Sequence, residues 1–152
     1  MTGKKSWKCV LISFALALLL GLLGGCATTS LKYSVKDEPV YAEAKSDKGL
    51  IYILRSSWRA SFLAIEVFIN EKPVGVTKGS TYFFFYLDPG DYIMKTKAMK
   101  NVQELTLSVE RGEVYYVKQD FDFVGVITLK IIKPEEGQAE IKKLKYIETV
   151  LP

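Results

Sequence analysis

The sequence predicts a mainly β protein: a single antiparallel β-sandwich with a short C-terminal helix, preceded by a secretory leader and a tether. Three observations carry that prediction. From Gly49 onward, apolar and polar residues alternate with period two in segment after segment. Turn-forming residues interrupt the alternation about every 8–12 residues. Only one stretch, Pro134 to Lys145, carries helical start and stop signals. The expected boundaries are 1–25 for the leader, 26–48 for the tether and 49–152 for the sandwich with its helix.

The leader opens with Lys4, Lys5 and Lys8 and no acidic residue, followed by the uncharged run Val10–Leu23. A membrane-spanning helix needs about 20 apolar residues, so the run is short for that purpose. A basic start, a short apolar stretch and small residues after it form a secretory signal. Here Leu23, Gly24, Gly25 and Cys26 follow in that order.

This order resembles the lipobox of bacterial lipoproteins: an aliphatic residue, two small residues, then cysteine. The resemblance implies cleavage between Gly25 and Cys26, a diacylglyceryl thioether on the Cys26 sulfur and an acyl chain, such as palmitate, on its new amino terminus. Gly24 stands where Ala or Ser is more usual. Ala27, rather than Asp, follows the cysteine. By the enteric-type sorting pattern this favours the outer membrane, facing the periplasm, over the inner membrane. Each buried methylene contributes about 0.8 kcal/mol, so two or three chains on one cysteine hold the protein where one chain would not.

Cleavage would remove Cys9 and leave 127 residues, enough for one domain with its own core. Without Lys4, Lys5 and Lys8 the 21 basic residues fall to 18, against 17 acidic ones. That near-neutral chain has no basic stripe, which argues against a nucleic-acid partner. The membrane is met instead through the lipid on Cys26.

Residues 27–48 are polar and aperiodic, as in a tether of at most about 65–70 Å when fully extended. "GLIYILR" is the first strand, closed by Arg55, and "SSWRAS" is a loop. "FLAIEVFIN" places Ile65, Val67 and Ile69 on one face. "NEKP" turns into the return strand "VGVTK". "TYFFFYL" follows, and Pro89-Gly90 suits a type II turn. "YIMKTKA" continues, and "QELTLSVE" alternates Leu105, Leu107 and Val109 with Glu104, Thr106 and Ser108. Gly112 serves a hairpin turn into "VYYVKQDF", and "VGVITLKII" is the next strand.

In "PEEGQAEIKKLK", Pro134 stands at a first helical position. Glu135 and Glu136 lie in the first turn and Lys142, Lys143 and Lys145 in the last, as the helix dipole favours. Gly137 costs about 1 kcal/mol relative to Ala in a helix interior. "YIETVLP" is a last short strand or a loose tail.

The motifs "GLIYILR", "VFINEKPVG", "GSTYFFFYLDPGDY", "LTLSVERGEVYYVKQDF" and "KIIKPEEGQAEIKKL", in this order, resemble a family of small bacterial lipoproteins. It is the domain-of-unknown-function family 2846. The resemblance implies an immunoglobulin-like or transthyretin-like sandwich, similar to carboxypeptidase regulatory domains. It implies no activity.

The chain contains no histidine. That removes Ser-His and Cys-His nucleophilic pairs, histidine metal sites and the chemistry of transthyretin-like hydrolases. Neither a Gly-x-Ser-x-Gly elbow nor a glycine-rich phosphate loop is present. The sequence points to no cofactor and to no enzyme.

Asp120 and Asp122, two apart on a strand, are the candidates for a hydrolase or metal-binding alternative. Against it, calcium takes 6–8 oxygen ligands, and such pairs usually lie on a solvated strand face.

Two aromatic groups are candidates for binding a partner, an envelope protein or glycan. Tyr82, Phe84 and Tyr86 share one face of their strand, with Phe83, Phe85 and Leu87 on the other. Either the C-terminal helix covers the first face through Ile141 and Leu144, or it is an exposed platform. Trp58 and Arg59 form the second candidate, unless Trp58 caps the core. The expected function is that of a lipid-anchored, non-enzymatic binding or structural module of the cell envelope.

Overall fold

The computed structural model describes residues 31–98, 101–122 and 125–151. The leader 1–25 and Cys26 lie outside the described residues. In chain order the elements are β1 (Lys32–Val35), β2 (Gly49–Arg55), β3 (Ile65–Ile69), β4 (Lys72–Thr77), β5 (Thr81–Leu87) and β6 (Gly90–Ala98). They continue with β7 (Asn101–Val109), β8 (Val114–Phe121), β9 (Ile127–Ile132), α1 (Pro134–Ile141) and β10 (Lys145–Val150). Among the described residues no helix is long and apolar enough to cross a membrane.

Two sheets form the sandwich. One has the order β1-β10-β5-β2-β8-β9, the other β4-β3-β6-β7. All seven residues of β2 are buried, because the strand is central and both its faces are covered. Ile51 and Ile53 meet Val67, Met94 and Leu107 of the second sheet. Leu50, Tyr52 and Leu54 face the other way, toward Ile141 and Leu144 beside the helix. That explains why "GLIYILR" is a continuous apolar run rather than an alternating one. In β7 the alternation is retained: Leu107 and Val109 are buried, and Glu104, Thr106 and Ser108 are exposed.

The sandwich is not wholly antiparallel. β2 pairs in parallel with β8, and β10 with β5. The cause lies in the links. The turn at Gly112, expected to close a hairpin, instead carries the chain from β7 in one sheet to β8 in the other. Gly112 there has φ +75°, which glycine adopts without strain. The β5–β6 link at Asp88 and Pro89 also crosses between sheets. A true hairpin joins β3 to β4, through Asn70 (φ +44°) and Glu71 (φ +67°). Both residues are left-handed, as in a type I′ turn.

The C-terminus departs from expectation in one respect. The helix stops at Ile141 rather than Lys145, and its last turn holds no basic residue. Lys145 already begins β10, which settles "YIETV" as a strand. Gly137 is buried, and a Cβ added there would lie 2.2 Å from the Tyr116 ring. The glycine therefore lets the helix backbone rest on that ring.

The expected tether is largely bound to the sandwich. β1 pairs antiparallel with β10, from Lys32 opposite Val150 to Val35 opposite Ile147. Further along, tyrosine hydroxyls hold the backbone. Val40 N–H donates to Tyr82 Oη (3.0 Å), and Tyr82 Oη donates to the Val40 carbonyl (2.8 Å). Ala42 N–H donates to Tyr52 Oη (3.0 Å), and Tyr86 Oη donates to the Glu43 carbonyl (2.7 Å). A polar, aperiodic sequence gives no sign of this, because the grip comes from side chains elsewhere in the chain.

Candidate functional site

The first aromatic candidate is covered. Tyr82 is 0% exposed, and Phe84 and Tyr86 are half-buried. They belong to a cluster with Tyr52, Tyr116, Ile141 and Leu144. Tyr52 and Tyr116 stack at 5.2 Å, and Tyr82 meets Tyr146 edge-on at 5.7 Å. The helix end and the segment around Val40 and Ala42 are the cover. An exposed platform of Tyr82, Phe84 and Tyr86 is therefore not what the fold presents. Burial pushes the hydroxyls of Tyr52, Tyr82, Tyr116 and Tyr146 above their usual pKa, in each case as the largest influence.

The second candidate is exposed. Trp58 is 78% exposed, and Phe62, four residues on in the same β2–β3 loop, is 76% exposed. Arg59 is half-buried between them. These residues border a cavity of about 500 Å³, whose walls also include Leu63, Phe121 and Asp122. Residues of the β2–β3 loop, the end of β6, the start of β7 and the end of β8 line it together. Trp58 does not cap the core.

The loop carrying these aromatics is held from beneath by Arg55, the last residue of β2. Its side chain is 0% exposed. Nη1 donates to the Leu63 carbonyl (2.9 Å), and Nη2 to the carbonyls of Arg59 (3.1 Å) and Ala60 (2.6 Å). The Phe121 ring centre lies 5.0 Å from the guanidinium carbon. Burial lowers the Arg55 pKa to about 10, with the nearby Asp120 charge acting in the opposite direction. The group is thus still a cation at neutral pH. Charge-assisted bonds to three carbonyls fix the loop backbone while leaving Trp58 and Phe62 in solvent. Ala60 adopts φ +49° within this loop.

Below the site a buried polar chain joins the two sheets. Thr77 Oγ1 donates to Gln119 Oε1, Gln119 Nε2 donates to Thr96 Oγ1, and Thr96 Oγ1 donates to the Glu66 carbonyl (3.2 Å). β8 thereby meets β4 and β6 with its polar atoms satisfied.

Asp120 and Asp122 each accept a hydrogen bond from nearby backbone. Asp120 Oδ1 accepts from Phe121 N–H (2.8 Å), and Asp122 Oδ1 accepts from Val126 N–H (2.8 Å). Asp120 lies in β8, whereas Asp122 follows it and shapes the turn toward β9. Among the described residues no three or more acidic, histidine or cysteine side chains group as metal ligands would.

Two residues of the candidate site escape a reading of the sequence. Arg55 looks like the polar end of a strand, and its sign was a charge closing an otherwise apolar run. Phe62 looks like the start of the next strand, because it continues an apolar pattern. The backbone instead leaves it three residues before β3.

Comparison with known proteins bears on this site. The family described as "Protein of unknown function (DUF2846)" matches residues 45–129, which span β2 to β8, the Trp58 loop and the start of β9. An uncharacterized protein of Haemophilus influenzae is 29% identical over 140 residues, covering 86% of this chain and 83% of the relative. With more than half of its length matched, the chain belongs to the DUF2846 family of proteins of unknown function.

Proposed function

We propose that this protein is a lipid-anchored, non-enzymatic binding module of the bacterial cell envelope, tethered through Cys26 to the outer membrane and facing the periplasm. Its contact surface is the Trp58 end of the sandwich. One observation carries the reading: Trp58 and Phe62 stand in solvent on a loop whose backbone is pinned by the buried Arg55. Large apolar side chains on a rigid mount suit recognition, because little conformational freedom is lost on contact. The lipobox order around Cys26 and the absence of histidine support the anchor and the lack of catalysis.

A photoreactive side chain placed at Phe62 in living cells tests the surface. An adduct with an envelope component is expected, and it should disappear in the Trp58→Ala, Arg59→Ala variant. No adduct, or one that the variant leaves unchanged, overturns the reading. Mass spectrometry of the amino terminus tests the anchor: a triacylated Cys26 is expected, and an unmodified Met1 or a free Cys26 thiol contradicts it.

A further inference from the structure

We infer that the component met by the Trp58 end is the phospholipid surface itself, so that Trp58 and Phe62 form a second membrane contact beside the lipid on Cys26. This rests on the anchored reading above. The first argument is reach. β1 begins at Lys32 and is paired to β10, and Leu31 packs against the core. Only five residue steps separate Leu31 from Cys26. Fully extended they span at most about 18 Å, so the sandwich lies close to the bilayer instead of standing off it.

The second argument is placement. Tyr33 of β1 pairs with Thr149, whose hydroxyl accepts from Val76 N–H at 3.1 Å. Lys78 Nζ lies 6.0 Å from the centre of the Tyr33 ring. The next residue, Gly79, rests on Ser61, where an added Cβ would come within 2.4 Å. Ser61 sits between Arg59 and Phe62. A short run of direct contacts thus joins the point where the anchored chain arrives to the exposed aromatic loop.

The third argument is size. Two aromatic side chains offer roughly 150–250 Å² each. A stable protein interface buries about 800 Å² per partner, which this pair does not approach. A membrane contact needs far less, because the lipid has already brought the domain to the surface and the second contact is intramolecular. Trp is suited to the headgroup level, with an apolar ring and one N–H donor.

The chain has two tryptophans, Trp7 in the leader and Trp58, so the processed protein carries Trp58 as its own single probe. Protein purified from native membranes is weighed at its amino terminus, then reconstituted into phosphatidylethanolamine–phosphatidylglycerol vesicles with brominated acyl chains. Trp58 emission should be quenched, more by bromines near the headgroup end than by bromines near the chain tails, as expected for insertion of about 5–10 Å. Phe62→Ala should weaken the quenching while leaving the circular dichroism unchanged. An acylated protein whose Trp58 is quenched by aqueous acrylamide and not by bromolipid overturns the membrane contact and leaves the anchor standing. Shielding from both quenchers assigns the loop to a protein contact and also overturns it. A protein without acyl chains removes the closeness argument and overturns anchor and contact together.

Discussion

Two aromatic regions of this molecule are alike in sequence and opposite in fate. Tyr82, Phe84 and Tyr86 lie on a strand and are covered; Trp58 and Phe62 lie on a loop and are exposed. The strand face belongs to a broad sheet, and leaving it open would expose a large contiguous apolar area. Helix α1 and the 40–43 segment prevent that. The loop aromatics have no such cover, yet their backbone is among the most tightly held parts of the site. Cover, rather than hydrophobicity, separates a core residue from a contact residue here.

The comparison breaks most readily at Tyr82. Tyr82→Ala removes a fully buried ring and releases both hydrogen bonds to Val40. A loss of about 3–5 kcal/mol is expected from denaturant unfolding, with residues 36–43 becoming protease-sensitive. A loss below about 1 kcal/mol would mean that the covered face does not hold the 40–43 segment.

Arg55→Met tests the other region. Three loop carbonyls lose a charged donor, and about 1–3 kcal/mol is expected. The effect should be concentrated in the loop: faster hydrogen exchange at Ser61 and Leu63, whose N–H groups bond to Trp58 and Ala60 carbonyls. Unchanged exchange at these amides would show that the mount is held by something else.

Gly137→Ala sharpens the comparison through its sign. In an ordinary helix interior this change stabilises by about 1 kcal/mol. Here the new Cβ meets the Tyr116 ring, so a net loss of about 1–2 kcal/mol is expected instead. Thermal unfolding at neutral pH decides between the two signs.

Alkaline pH should separate the regions as well. Tyr52, Tyr82, Tyr116 and Tyr146 have folded pKa values raised above 10.0, so the unfolded chain ionises first. Their contribution is complete below pH 10.0 and is lost as the pH rises through the folded values. Arg55 acts the other way: burial lowers it to about 10, so its charge costs stability below that pH and less as the pH rises above it. The tyrosine contribution should lower the unfolding midpoint as the pH rises above about 10, and Arg55→Met, which removes the opposing contribution, should steepen that fall. The tyrosine-lined face should open before the loop, as followed by tyrosinate absorbance.

Much of the fold was legible because period-two alternation reports burial directly. β3 and β7 follow from it, and the continuous apolar run of β2 marks a strand covered on both faces. Strand direction did not follow, because a short turn within one sheet and a short link between two sheets use the same residues; Gly112 serves the second and suggests the first. The clasped 31–43 segment was hidden because its partners are the distant β10 backbone and hydroxyls on β2 and β5. At the candidate site, Trp58 and Arg59 stood out as a loop between strands. Phe62 and Arg55 did not, since their roles depend on where the backbone leaves the sheet and on three carbonyls that only the folded loop assembles.

The smallest expected effect is the most diagnostic. Trp58→Ala removes a side chain that is 78% exposed, so stability should change by no more than about 0.5 kcal/mol. Tyr82→Ala should be several times more costly, although both delete a large aromatic ring. If Trp58 instead proved as costly as Tyr82, its ring would be supporting the sandwich. The loop would then be one more covered surface, and the contrast between mount and core would vanish. A stable Trp58→Ala protein that loses its contact at the loop end would show the opposite: a side chain that the fold does not need, held in place for what it touches outside.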